Sequence, residues 1–168
     1  MSGVALALAV GSLFSGIGGL DLGLEWAGHQ VIWQVERDLY ARKVLRRHWP
    51  RARLWADVAQ VGAAQLPWVH VICGGFPCQD ISPANPTGRG LAGARSGLWS
   101  EYARIVGEIR PLGVLVENNG QNRARWLPTV LGDLAALGYD AEWHCITAAA
   151  VGAPHLRDRC FVFAYRAP

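Results

Sequence analysis

Cys78 stands directly after a proline in "VICGGFPCQD" (Val71 to Asp80), at the end of an apolar run and behind two glycines and a phenylalanine. Pro77 fixes its own φ and pushes Phe76 towards extended backbone, so the chain bends rigidly and presents Cys78 at the sheet edge. That is a mounting suited to a thiolate nucleophile. About forty residues later Glu117 ends another apolar run, in "VENN". A carboxyl group held opposite a thiol can donate a proton to, or hydrogen-bond with, a ring under attack. "GAPHLRDRCF" (152–161) then supplies Arg157 and Arg159. In extended backbone both guanidinium groups would face one pocket; the same residues also read as an exposed Arg-Asp-Arg turn.

A second group suits a bound small molecule. "FSGIGGLDLG" (14–23) ends the first apolar run, and its glycines at 16, 18 and 19 permit a tight turn with backbone close to a ligand and a helix N-terminus behind it. It lacks the full dinucleotide pattern, since no glycine stands three residues after Gly18. Glu36, seventeen residues beyond Gly19, is near the spacing at which an acid meets a ribose hydroxyl, and reads equally as a solvated strand-end carboxylate. Asp57 comes after the short run "ARLW" (52–55), where it would accept from an adenine amino group or cap a helix starting at Val58.

These residues sit at the ends of apolar runs of strand length: 5–14, 30–36, 68–73, 113–118 and 159–165. Helical segments lie between them, and the alternation predicts parallel strands with crossover helices. "DLYARKVLRRHW" (38–49) opens on a capping Asp38, places Leu39, Val44, Leu45 and Trp49 at helical spacing and ends before Pro50. "LWSEYARIVGEIR" (98–110) ends before Pro111, and "LPTVLGDLAALG" (127–138) closes on Gly138, a C-cap residue. The Gly- and Pro-rich stretch 81–97 reads as a long functional loop. In an open parallel sheet, ligands bind outside the carboxyl ends of the strands, where all the residues above would gather.

Composition bounds the rest. With 51% apolar and 17% charged residues the chain is no disordered tail, and 168 residues suit one domain, 1–168. The net charge of +3 is carried almost wholly by arginines, which suit phosphate and base contacts, although an arginine-rich coding habit gives the same bias. Four cysteines without a CxxC pair favour a reducing compartment and argue against zinc. "MSGVALALAV" has no basic residue before its apolar run and is too short to span a membrane, so a buried first strand and a cytoplasmic protein are expected.

Taken in order, "FSGIGGLDLGLEWAGH", Glu36, Asp57, "GGFPCQDIS", "RSGLW", "ENN" and "RDRCF" resemble the cytosine-5 DNA methyltransferase family from Leu13 to Phe163. The resemblance implies an α/β, Rossmann-like S-adenosylmethionine-dependent methyltransferase fold, with a mostly parallel central sheet and helices on both faces. It implies that Cys78 adds to carbon 6 of a cytosine flipped out of duplex DNA, that Glu117 contacts ring nitrogen 3 and the exocyclic amine, and that Arg159, with Arg157 and Gln79, holds the base and its phosphate. For S-adenosylmethionine it carries Phe14, Ser15, Gly16, Gly18 and Gly19 to the methionine moiety and adenine edge, Glu36 to the ribose and Asp57 to the adenine amine. Pro77 and Leu98 go to the pocket wall. Val58 would flank the adenine or be a plain surface position. The loop 81–97 would close over the flipped base.

The sequence departs from the family pattern in three places. Asn119 replaces the usual valine after Glu-Asn, either as a surface change or as a retuning of the pocket. Arg37 stands where an aromatic residue commonly stacks on adenine. Nothing after Phe163 matches the family's DNA-reading region and terminal motif, which leaves three expectations: a complementary subunit, a minimal enzyme, or a binding module without catalysis. Methylation of RNA is the further alternative that the family implies.

Overall fold

The computed structural model describes residues 6–77 and 97–166. Among the described residues, seven strands and four α-helices succeed one another as β1 (Ala9–Leu13), α1 (Gly19–Trp26), β2 (Gln30–Val35), α2 (Leu39–His48), β3 (Arg53–Trp55), β4 (Val71–Gly74), α3 (Leu98–Ile109), β5 (Gly113–Asn119), α4 (Arg123–Ala136), β6 (Tyr139–Thr147) and β7 (Asp158–Arg166). The sheet order is β3-β2-β1-β4-β5-β7-β6. β1 to β5 pair in parallel, so strand order reverses between β1 and β4, and the carboxyl ends of those two strands open a crevice.

Period-two alternation divides the core. On β1, Val10 faces a cluster with Val31, Leu45, Trp49, Val71 and Cys73, under α1 and α2. Leu13 faces the larger cluster under α3 and α4, built around Trp33, Tyr102, Ile105, Val114, Trp126 and Val162. Cys73 is wholly buried, and burial pushes its thiol far above the ordinary range. Asp38 caps α2 as expected, its Oδ1 accepting from Ala41 N at 2.8 Å. Leu45 and Trp49 are buried beneath α2, whereas Leu39 is 70% exposed and belongs to the solvent side.

Other expectations need correcting. The last apolar run is not a parallel strand: β7 is antiparallel to both β5 and β6. β6 itself has no counterpart among the apolar runs, because as an edge strand it buries only Tyr139 and its "YDAEWHCIT" carries no continuous apolar signal. β1 ends at Leu13 because Phe14 takes a left-handed φ of 52°. β4 begins at Val71 rather than 68, with Trp68 half exposed. α4 begins at Arg123, ahead of the expected start at 127, and accommodates Pro128 inside it. Gly138 does take the left-handed C-cap geometry, at φ 81°.

The glycine loop is shaped by packing on its far side. Gly18 has φ 91°, and a Cβ there would lie 2.4 Å from the tip of the Trp49 ring. Gly18→Ala is therefore expected to destabilise the protein by about 2–4 kcal/mol, read as a lower urea midpoint at unchanged slope.

Candidate active site

One cavity of about 280 Å³ opens at the carboxyl ends of β1 to β4, close to the lower end of the usual range for ligand sites. Its lining includes Phe14, Glu36, Arg37, Asp57, Val58, Pro77 and Leu98, together with Val35, Ala56 and Gly75. Seven residues singled out for a cofactor are thus brought together from five segments of chain. Ser15, Gly16, Gly18 and Gly19 are not among the lining residues. Ser15 is buried with its hydroxyl on Ser12 O at 3.2 Å, while Gly18 and Gly19 line a separate groove between α1 and α2.

The acidic residues have structural work as well. Glu36 accepts from Gly16 N and from Asp38 N, each at 2.7 Å, one on each oxygen, and so ties the glycine loop to the start of α2. Asp57 accepts from Ala59 N at 3.0 Å and from Gln60 Nε2 at 3.1 Å, capping a 3-10 turn, Val58–Gln60. The capping alternative for Asp57 is therefore what the fold displays, in the same residue that lines the cavity. A carboxylate offers about four acceptor positions, so each keeps capacity for a ligand hydroxyl or amine.

Residues that sequence reasoning misses hold this frame. Arg104 on α3 donates through Nη2 to Val58 O at 3.0 Å and Val61 O at 2.9 Å, fixing the turn behind Asp57. Glu101 and Glu108 pair with it at 2.6 and 2.7 Å. Asp21, fully buried, accepts from Ser12 Oγ at 2.9 Å and Gln34 Nε2 at 2.8 Å, and so joins α1 to β1 and β2; burial holds its carboxyl above the usual range. Phe14 carries its left-handed backbone at the cavity wall, a strained conformation of the kind that gathers at functional sites.

Beyond Gly75 lies the second half of the site. A Cβ on Gly75 would meet Glu117 Oε2 at 2.5 Å, so glycine here lets the cavity wall pass this close to the carboxylate without displacing it. Glu117 Oε1 receives Arg159 Nε at 2.6 Å, across paired strands β5 and β7, and both side chains are 24% exposed. Burial pushes the Glu117 carboxyl above the usual carboxylate range, and the charges of Arg159 and then Arg157 oppose it. Arg157 is exposed with φ 28°, so residues 157–159 are not one extended segment and the alternation expected to aim both guanidinium groups fails at its first residue. Its charge nevertheless acts on Glu117.

Asn118, the buried polar residue beside Glu117 at this strand end, donates from Nδ2 to Phe76 O at 3.0 Å and fixes the backbone just before Pro77. Asn119, half-buried, accepts from Gln121 N at 2.9 Å in a turn into α4. Cys78, Gln79 and the loop to residue 96 lie outside the described residues. Among the described residues, no group of three or more His, Cys, Asp or Glu side chains could hold a metal ion, and no helix is long and apolar enough to cross a membrane.

Removing Arg159 takes away the largest influence that favours the Glu117 carboxylate. In Arg159→Gln the Glu117 titration is expected to move to higher pH, monitored by carbon-detected NMR of that carboxyl. Because the folded-state pKa lies above the unfolded one, protonation stabilises the fold. That contribution is full below the unfolded value near 4.5 and is lost as pH rises through the folded one, so the loss begins near the same pH in both proteins but is larger and runs to higher pH in the variant.

A seven-stranded sheet with an antiparallel final hairpin, and a cavity at its switch point bounded by strand-end acids, defines the S-adenosylmethionine-dependent methyltransferase class of α/β fold. The sequence model of C-5 cytosine-specific DNA methylases matches residues 8–168, and the chain belongs to that family. It is 33% identical over 165 residues to the type II methyltransferase M2.BsuMI of Bacillus subtilis, covering 94% of this chain and 42% of the relative. Against M.HhaI of Haemophilus parahaemolyticus the identity is 30%, over 92% of this chain and 48% of the relative. Among solved structures, a prophage-encoded E. coli protein assigned as a DNA modification methyltransferase superposes with a TM-score of 0.74 at 28% identity, over 95% of this chain and 47% of that one. The S. pombe Dnmt2 methyltransferase shares the fold, with a TM-score of 0.76 at 17% identity, over 95% and 51%. The chain thus spans less than half the length of these two type II relatives.

Proposed function

We propose that the protein transfers a methyl group to carbon 5 of cytosine in DNA through a covalent adduct on Cys78. The observation that carries the reading is the Gly75 wall, with the cavity bounded by Glu36 and Asp57 on one side and the Arg159-paired Glu117 on the other. The cavity lining suits S-adenosylmethionine: two strand-end carboxylates to accept from hydroxyl and amine donors, and Phe14, Val58, Pro77 and Leu98 as apolar surface for a ring. When bound, that cofactor supplies an electrophilic methyl group on a sulfonium.

The remaining chemistry falls to the chain. The target base is taken out of the stack at a cost of about a few kcal/mol. The Cys78 thiolate forms a bond to carbon 6 while Glu117 gives a proton to ring nitrogen 3, so that no net charge is left on the ring and carbon 5 becomes nucleophilic. Carbon 5 takes the methyl group, for which the neutral thioether would be the leaving group; the carbon-5 proton is then lost to a base, ring nitrogen 3 returns its proton to Glu117, and the carbon–sulfur bond breaks, restoring the thiolate, the protonated Glu117 and the aromatic ring. A neutral, proton-bearing Glu117 is what this step requires, and burial favours that form. Arg159 orients the carboxyl, and Gln79 and Arg157 support the base and its phosphate.

The reading includes a complementary polypeptide that supplies what the relatives carry in their remaining length, in the same chain or another. β7 supports it by leaving Phe163 and Tyr165 each 41% exposed, on the strand face opposite buried Val162 and Ala164. A cytoplasmic location, where DNA and cofactor meet, goes with this reading. The test is label transfer from radioactive S-adenosylmethionine to duplex DNA, with the second half of a relative supplied in trans. The expected product is 5-methylcytosine, and its absence on every duplex would overturn the reading.

A further inference from the structure

Positive charge is concentrated in one stretch of this chain. Seven of the sixteen lysines and arginines fall within residues 37–53, where the only acid is Asp38, which leaves +6 there and −3 elsewhere. The acid is occupied, since Asp38 Oδ1 caps α2. Arg37, Lys43, Arg46, Arg47, Arg51 and Arg53 are all exposed. None of the seven cations has an ion pair with a carboxylate among the described residues.

Their placement comes from the fold. α2 buries Ala41 and Leu45 against the sheet, so Lys43, Arg46 and Arg47 project outwards. Arg37 lines the cavity mouth before the helix, and Arg51 and Arg53 continue from it onto β3, the edge strand. Ten residues of helix extend this stripe over about 15 Å. The helix dipole favours Arg46 and Arg47 in the last turn but gives no reason for the cations before and after the helix. Arg42 with Arg46, and Lys43 with Arg47, are like charges at i and i+4, a spacing that weakens a helix. A merely solvated surface has no use for that repulsion, whereas a polyanion relieves it.

We propose that the outer face of α2, with Arg51 and Arg53, is a binding surface for the phosphate backbone of duplex DNA, separate from the catalytic pocket. Duplex DNA presents one negative charge per about 1.7 Å of axis, which matches an unpaired stripe of cations and calls for no base contact. A membrane surface fits less well, because the apolar side of α2 is already buried in the protein and cannot insert. This surface rests on the proposed function for DNA as its partner class but needs none of the chemistry.

The experiment is fluorescence anisotropy of the full chain on a 30-base-pair duplex, without cofactor, over a salt series, for wild type, Lys43→Gln/Arg46→Gln/Arg47→Gln and Arg51→Gln/Arg53→Gln. Each neutralised contact is expected to reduce the log–log salt slope by about 0.9, so the triple variant loses about 2 to 3 and the double variant about 2. Both variants are expected to melt at the wild-type temperature. Wild-type slopes in both variants overturn the proposal, and so does an unchanged DNA slope accompanied by lost binding to phosphatidylserine vesicles. A reduced slope in a protein that never methylates DNA leaves this inference standing and removes only the catalytic one.

Discussion

Cys78→Ala is expected to reduce methyl transfer by about 10⁴-fold or more while leaving cofactor and DNA binding intact. The expectation comes from the chemistry of the ring. Carbon 5 of cytosine is not nucleophilic enough to take a methyl group until a nucleophile has added at carbon 6, and alanine offers none. The other three cysteines are poor candidates for that nucleophile. Cys73 and Cys160 are fully buried, and their thiols are pushed far up and to about 12 respectively, so neither forms a thiolate at neutral pH. Cys145 is exposed on edge strand β6, away from the lining of the cavity. Cys78 comes after a segment pinned by Asn118 through Phe76 O, one residue before Pro77. A single-turnover assay at saturating cofactor checks the expectation, and a loss of cofactor affinity equal to the loss of rate would contradict it.

Glu117→Gln carries the second-largest effect, expected at about 10²- to 10⁴-fold in the rate of adduct formation. The amide keeps the shape of the carboxyl, so Gly75 and the cavity wall need not move. What it loses is the ability to deliver a proton to ring nitrogen 3, together with the anion that holds Arg159 Nε at 2.6 Å. Cofactor affinity should be unchanged, because Glu117 lies across Gly75 from the cavity and is not among its lining residues. Rate measurements with calorimetry of cofactor binding separate the two outcomes: a variant that loses affinity but not rate would place Glu117 in the wrong half of the site.

Much of the frame is legible in the sequence because it depends on long apolar runs and their ends. Glu36, Asp57 and Glu117 stand at or just past the ends of such runs, and the helical segments between the runs dictate the parallel core of the sheet. The failures have physical causes too. β6 is an edge strand whose side chains are mostly solvated, so it lacks the signal by which the other strands are read. With β6 missing, the antiparallel sense of β7 has no basis, since the direction of a strand depends on the connection that precedes it. The pairing of Arg157 with Arg159 assumes extended backbone and meets a positive φ.

The supports of the site are harder to see than its chemistry. Gly75 looks like one glycine among twenty until Glu117 is placed beside it. Arg104 is a surface helix residue in sequence and a brace for Val58 and Val61 in the fold. Gly18 suits a ligand loop for its conformational freedom, and the fold uses the same freedom to make room for Trp49. Each of these depends on a contact between elements distant in sequence, which no local pattern records.

Whether Cys78 bonds to a flipped cytosine beside Glu117 is tested most directly with duplexes of randomised sequence containing 5-fluorocytosine, incubated with the protein, S-adenosylmethionine and the complementary half of a relative. Fluorine replaces the proton that must leave carbon 5, so the reaction should stop with DNA bonded to the protein. A denaturant-resistant adduct is expected, with a mass that includes one added methyl group and a linkage that maps to Cys78. Bound cofactor and bound DNA with no such adduct would rule out the covalent mechanism.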